Sequence, residues 1–241
     1  MLHDINALKV RFTNLLDTLC REYSFAENIV DGEPVDVLDN WREYDDACEA
    51  LDIWCATGCT KFVIGDDDCD YIIKIQPPCV GGMDYCAREV AVYNAAVANG
   101  FEDKFAWTAK LFDYSFNESI CLPVYVMEWC QCSYDMIDDE MDDWHYTKYC
   151  TSHCLDKKGD GVYDKYNSAE DGKNRDYSVM MLEWAFSVWG GEYSSDAEFV
   201  KFMRENMIND IHAGNWGWCN NKLVLTDYSG YGEDEERDID Y

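Results

Sequence analysis

The stretch "LDIWCATGCTKFVIGDDDCDYIIKIQ", residues 51–76, most narrows the folds open to this chain. Three short β-type runs, 51–55, 61–65 and 70–76, are separated by "ATGCT" and "DDDC", both rich in residues that suit tight turns. Connections this short can join antiparallel neighbours but not parallel ones, so the stretch predicts an antiparallel meander. "MDYCAREVAVYNAAVANG" (83–100) follows with Ala-rich helical spacing and stops at Gly100. "AWTAKLFDYS" and "ICLPVYVMEW" then add two more strands. The prediction is a five-stranded antiparallel sheet carrying one helix.

Helical patterns flank this unit. Ile5, Leu8, Phe12, Leu15, Leu16 and Leu19 recur at three- and four-residue steps, so a first helix is expected whose apolar stripe packs against the domain that follows. Residues 31–50 are polar and acidic and read as a connector with room for a short helix. Residues 133–176 are acidic and tyrosine-rich, with "SYDMIDDEMDDWHYTKYC" expected as a helix with a charged face. "LDKKGDGVYDKYNSAEDGKNRD" is expected as an exposed loop. Helical spacing returns in "YSVMMLEWAFSVWG" (177–190) and "SDAEFVKFMRENMI" (195–208), the latter capped by Asp196 or the serines before it. The tail "GEDEERDIDY" reads as solvated. The expected class is α+β in three regions: a helical extension over 1–50, the sheet-bearing unit over 51–132, and a mainly helical region over 133–241.

Hydrophobic residues make up 48% and aromatics 15% of the 241 residues, enough for a sizeable core. Against 19 Lys and Arg stand 49 Asp and Glu, a formal charge of −30. That charge argues against direct binding to nucleic-acid phosphates or to an anionic membrane, and favours basic partners. The 13 cysteines are an odd number in a large chain, and "MLHDINALKVRFTNLLDTLC" lacks the layout of a signal peptide. No apolar stretch is long enough to span a bilayer. Reduced cysteines in a cytoplasmic protein are therefore expected.

Five polar residues stand out by position. Lys74 lies inside the apolar run "YIIKI", and Glu89, fifteen residues later, lies in the Ala-rich helix able to face it. "INDIHAGNWGWCNNKLVLTDYSG" (208–230) then places Asp210, Asn215 five residues on, and Asp227 at the end of a short strand. Each has an ordinary explanation alone: a strand-edge lysine, a surface glutamate, turn-forming Asp and Asn. As an ordered set they match the needs of phosphoryl transfer from a nucleotide. A lysine neutralises phosphate and a glutamate holds that lysine. An aspartate orients or deprotonates the attacking hydroxyl, and an asparagine and a second aspartate bind Mg²⁺. His212 is expected to orient the loop. The offsets of "DKKGDGVYDKYN" (156–167) only loosely match a calcium loop, and Cys130, Cys132, Cys150, His153 and Cys154 lack a CxxC anchor for zinc.

On these motifs the chain resembles the small, divergent members of the protein kinase superfamily over roughly residues 51–230. "DIHAGN" is similar to the family's catalytic loop at Asp210 and Asn215, and "KLVLTDYSG" to its metal-binding strand end at Asp227. The resemblance implies a kinase-like two-lobed fold: a five-stranded antiparallel N-lobe sheet with one helix, then a reduced, mainly helical C-lobe. It implies ATP and Mg²⁺ as cofactors, Asp210, Lys74 and Glu89 as the catalytic set, and Asn215 and Asp227 as metal ligands. It also implies Gly58 in the phosphate loop and Met127 behind the adenine. Glu128, Trp129 and Cys130 would then offer backbone groups to the base. Kinase-like proteins of T7-like phages share the D-x-H-x-G-N form, as do phosphotransferases of the aminoglycoside and choline type. The activity implied is a serine/threonine-type protein kinase acting on a basic protein of the phage or its host. A pseudokinase that binds basic proteins or mimics nucleic acid, and a small-molecule phosphotransferase, are the alternatives. The sequence departs from the family in three places. "ATGCT" keeps one glycine, Ile208 and Asn209 replace the His-Arg before the catalytic Asp, and Gly230 stands three residues after Asp227 rather than two. Eleven residues follow Gly230, so no activation segment or peptide-seating helices are expected.

Overall fold

The computed structural model describes residues 4–23, 48, 53–57, 61–66, 69–76, 84–117, 120–132, 134–145 and 177–229. Gly58, most of the expected connector over 31–50, the 156–167 stretch, Cys150, His153, Cys154 and the acidic tail lie outside the described residues. The chain divides into two compact units, Met1–Ala95 with Ala106–Trp129, and Ala96–Phe105 with Cys130–Tyr241.

The first unit is built on a mixed α+β plan. Strands β1 (Ile53–Thr57), β2 (Phe62–Asp66), β3 (Tyr71–Ile75), β4 (Thr108–Asn117) and β5 (Ile120–Glu128) form one antiparallel sheet in the order β1-β2-β3-β5-β4. Alternation sends Phe62, Ile64, Ile73, Ile75, Val124 and Val126 to one face. There they join Leu8, Phe12, Leu16 and Leu19 of helix α1 (Ile5–Tyr23) in a single buried cluster. The stripe of α1 thus has its partner, and the Tyr114 hydroxyl donates to Asp17 Oδ1 at 2.8 Å beside it.

The opposite face carries Trp54, Gly65, Ile72, Met127 and Thr108 in one cross-strand row, and Ala56, Val63, Lys74, Tyr125 and Lys110 in the next. Helix α2 (Tyr85–Asn99) buries Cys86, Glu89, Val92 and Ala96, spaced three and four apart along one stripe. Asp84 caps it, accepting from the Ala87 N–H at 2.8 Å, and also accepts from the Tyr125 hydroxyl of β5 at 2.7 Å. The helix stops at Gly100, whose φ of 75° allows the Phe101 N–H to turn back to the Ala96 carbonyl at 2.8 Å.

In the second unit, α3 (Tyr134–His145) lays Ile137, Met141 and His145 inward, and α4 (Tyr177–Val188) buries Met180, Met181, Leu182, Trp184 and Ala185. Trp144 donates to Ser187 Oγ at 2.9 Å, and His145 Nε2 lies 3.1 Å from the Met180 carbonyl. The outward carboxylates of α3 crowd one another. Burial first, then Asp138, Asp139 and Asp143, push Asp142 up to about 6. Helix α5 spans Glu198–Glu205, shorter than the expected 195–208. Neither Asp196 nor a serine caps it. Ala197 holds the N-cap position without a side-chain bond, while Ser194 Oγ accepts from the Asp196 N–H in the turn before. At its other end Met207 sits at φ 51°, and Ile208 returns its N–H to the Met203 carbonyl at 2.9 Å. A hairpin of β6 (Trp216–Cys219) and β7 (Lys222–Leu225) follows, turning on Asn220 and Asn221, both at positive φ.

Candidate functional site

The first unit brings Lys74 and Glu89 together. The Lys74 ammonium lies 3.1 Å from each carboxylate oxygen of Glu89, with both side chains buried. Strand alternation aims Lys74 at the helix-bearing face, and the stripe of α2 aims Glu89 back at it. A third member has joined them: Lys61, 3% exposed, donates to Glu89 Oε1 at 2.7 Å. Lys61 escapes sequence reasoning because a lysine after a turn is ordinarily a solvated strand end. The signal that could have found it is its even spacing from Val63 and Gly65, on the face that also carries Lys74. Cys86 lies buried one turn before Glu89. Burial first and the Glu89 charge second push its thiol up to about 12, so it stays protonated and inert.

Met127 is fully buried at the centre of the same sheet face, between Ile72 and Thr108. Beyond it, two of the backbone donors expected to meet a base are engaged within the protein. The Glu128 N–H bonds the Trp107 carbonyl at 3.0 Å, and the Trp129 N–H bonds the Asp70 carbonyl at 2.8 Å. The Glu128 side chain accepts from the Trp107 N–H at 3.2 Å, which fixes this edge of the sheet. Trp129 turns its ring over β2, tilted against the exposed Trp54 with centroids 5.4 Å apart. A Cβ at Gly65 would lie 2.9 Å from the Trp129 ring, so only glycine fits beneath it.

In the second unit the 210–215 loop is closed by its own side chains. Asn215 Nδ2 donates to the Asp210 carbonyl at 2.8 Å, and the Asn215 N–H donates to the His212 carbonyl at 3.0 Å. His212 caps the 3₁₀ turn Ala213–Asn215, its Nδ1 accepting from the Gly214 N–H at 3.1 Å. Buried Ile208, Ile211 and Ala213 anchor the loop from below. The hairpin then returns the chain to Asn215, whose carbonyl accepts from the N–H groups of Thr226 at 2.8 Å and Asp227 at 3.4 Å. Asn215 and Asp227 are therefore backbone neighbours, although twelve residues separate them. Ser229 donates to Asp227 Oδ1 at 3.2 Å, and buried Tyr228 packs edge-on against Phe105 with centroids 5.0 Å apart.

His212 Nε2 stands 3.6 Å from Asp210 Oδ1, an ion-pair distance too long for a hydrogen bond. The Asp210 carboxylate raises the proton affinity of the imidazole, burial opposes this, and Asp227 adds to it. A second proton would have to displace the Gly214 N–H from Nδ1. The cap therefore favours the neutral ring with its proton on Nε2, facing Asp210, while the carboxylate favours the cation.

Among the described residues no three His, Cys, Asp or Glu side chains gather as a metal site. Asn215 and Asp227 still suit Mg²⁺, which takes hard oxygen ligands and is commonly held by one or two protein groups with water and phosphate completing the shell. No protein-family model matches the chain, and no curated protein matches it.

Proposed function

We propose that this protein is an ATP- and Mg²⁺-dependent phosphotransferase of the protein kinase-like type, with a two-lobed arrangement of its units. Its substrate is a serine or threonine hydroxyl on a basic protein. The observation that carries this is the buried Lys74–Glu89 pair at 3.1 Å, since a strand lysine held by a helix glutamate is the device that fixes an ammonium for phosphate. The meeting of Asn215 with Asp227 beside Asp210 supports it.

In this reading Lys74 places its charge on the phosphate oxygens and Glu89 keeps the ammonium from turning away. The adenine lies against the apolar row of Ile72 and Met127. Because the N–H groups of Glu128 and Trp129 are engaged, the base is met by carbonyls of that stretch or by Cys130. Asn215 and Asp227 hold Mg²⁺, which when bound neutralises charge on the transferring phosphate. Asp210 accepts the proton of the attacking hydroxyl while a bond forms from that oxygen to the γ-phosphorus and the bond to the ADP oxygen breaks. His212 keeps the Asp210 loop in place.

A second reading, a pseudoenzyme that holds basic proteins, is favoured by the −30 charge. Mg·ATP binding and phosphotransfer to basic protein, including self-phosphorylation, separate the two. The expected result is transfer that falls about a hundredfold or more in Asp227→Ala and Lys74→Ala. Binding without transfer would favour the pseudoenzyme, and a protein that neither binds nor turns over Mg·ATP would end the enzyme reading.

A further inference from the structure

The phosphotransfer reading gives Lys61 no task, yet Lys61 contacts Glu89 more closely than Lys74 does. Its Nζ lies 2.7 Å from Oε1, against 3.1 Å for Lys74, so one carboxylate oxygen receives both ammoniums. Lys61 directly precedes β2 and continues the alternation of Val63 and Gly65, which places it on the sheet face that carries Lys74. Orienting Lys74 requires Glu89 alone. A second ammonium at the same oxygen loses hydration, and it sets two positive charges side by side. Only 19 of the 241 residues are Lys or Arg, and two of them converge here, both buried. Such a doubled charge on a rigid sheet face suits a ligand with several adjoining anionic oxygens. In sequence, the "ATGCT" that precedes Lys61 has a single glycine, so it lacks the run of glycines with which a loop brings backbone N–H groups close to a phosphate. An ammonium on the adjacent strand can supply the missing positive charge.

We propose that Lys61 is a second polyphosphate-binding lysine, acting with Lys74 on the phosphate chain of a nucleoside triphosphate while Glu89 holds both. This rests on the reading of Lys74 as the phosphate lysine. Titration calorimetry of the full chain with sodium tripolyphosphate, ATP and adenosine tests it. Wild type is expected to bind the first two, and Lys61→Gln to weaken both about tenfold with adenosine unchanged, since one charge-assisted contact is lost. Lys61→Arg should recover most of the loss. Tripolyphosphate binding that is equal in wild type and a folded Lys61→Gln overturns the proposal, as does a wild type that binds no tripolyphosphate. If Lys61→Gln fails to fold, the lysine ammonium resonances of ¹⁵N-labelled wild type decide. Tripolyphosphate should shift both Lys61 and Lys74, and movement of Lys74 alone overturns the proposal. The two readings fail separately. Lys61-dependent tripolyphosphate binding without phosphotransfer sinks the enzyme and keeps the site, whereas phosphotransfer indifferent to Lys61→Gln does the reverse.

Discussion

His212 joins two demands that pull its proton in opposite directions. The cap to Gly214 asks for an unprotonated Nδ1, while Asp210 first and Asp227 after it raise the affinity for a second proton. The ordinary value is 6.5, and the folded value lies above it. A raised value means that the protonated ring stabilises the fold fully below pH 6.5 and loses that contribution as pH climbs through the folded value. Nuclear magnetic resonance titration should therefore show the His212 value falling in Asp210→Asn, and falling less in Asp227→Asn. In the phosphotransfer reading, deprotonation of His212 also releases Asp210 to act as a stronger base, so turnover should rise across the same interval.

The elements differ in how plainly the sequence announces them. The five strands and α2 were legible because two-residue alternation, turn chemistry and Gly100 agree with one another. β1 nonetheless runs Ile53–Thr57 rather than 51–55, because its pairing continues until Thr57 meets Phe62. The Lys74–Glu89 contact could be anticipated from period alone, since a strand and a helix each present one face. Lys61 is harder to find, because its even spacing from Val63 and Gly65 gives its face of the sheet but not whether its ammonium is buried or solvated. The cap of α5 was misread for a similar reason: serine and aspartate favour turns as well as caps, and Ser194 is used for the turn. Asn220 and Asn221 both take positive φ, which makes the hairpin the element that sets Asp227 beside Asn215. Asn221→Ala is expected to destabilise by about 1 kcal/mol, the cost of a left-handed backbone with a plain Cβ. Asn221→Gly should leave stability nearly unchanged. Chemical denaturation distinguishes the two variants.

Across the whole molecule the charge of −30 works against compaction, because every carboxylate added to a folded surface meets others. Asp142 is one local instance: burial first lifts it to about 6, and the charges of Asp138, Asp139 and Asp143 add repulsion to that. Screening should relieve it. Raising sodium chloride from about 10 mM to about 300 mM shortens the Debye length from roughly 30 Å to well under 10 Å. The melting temperature is then expected to rise by about 3 °C, the shift that ~1 kcal/mol produces in a chain of this size. A melting temperature that falls or stays level over that range would show that self-repulsion is not what limits stability. The sequence made this charge plain, but not where it is concentrated, because position in the chain says little about which carboxylates share a surface.

The strand order β1-β2-β3-β5-β4 has a consequence for how the chain is born. Synthesis delivers α1 before the sheet, and β1 to β3 can pair as they emerge, but β5, the second neighbour of β3, is the last strand of the sheet to be made. The apolar face that α1 covers includes Val124 and Val126, so the first core stays open until Glu128 has left the ribosome. Until then a growing chain exposes an unpaired strand edge and an uncovered apolar surface, the combination that chaperones recognise. A nascent chain arrested short of residue 128 should bind such a holdase, and one arrested well beyond it should not.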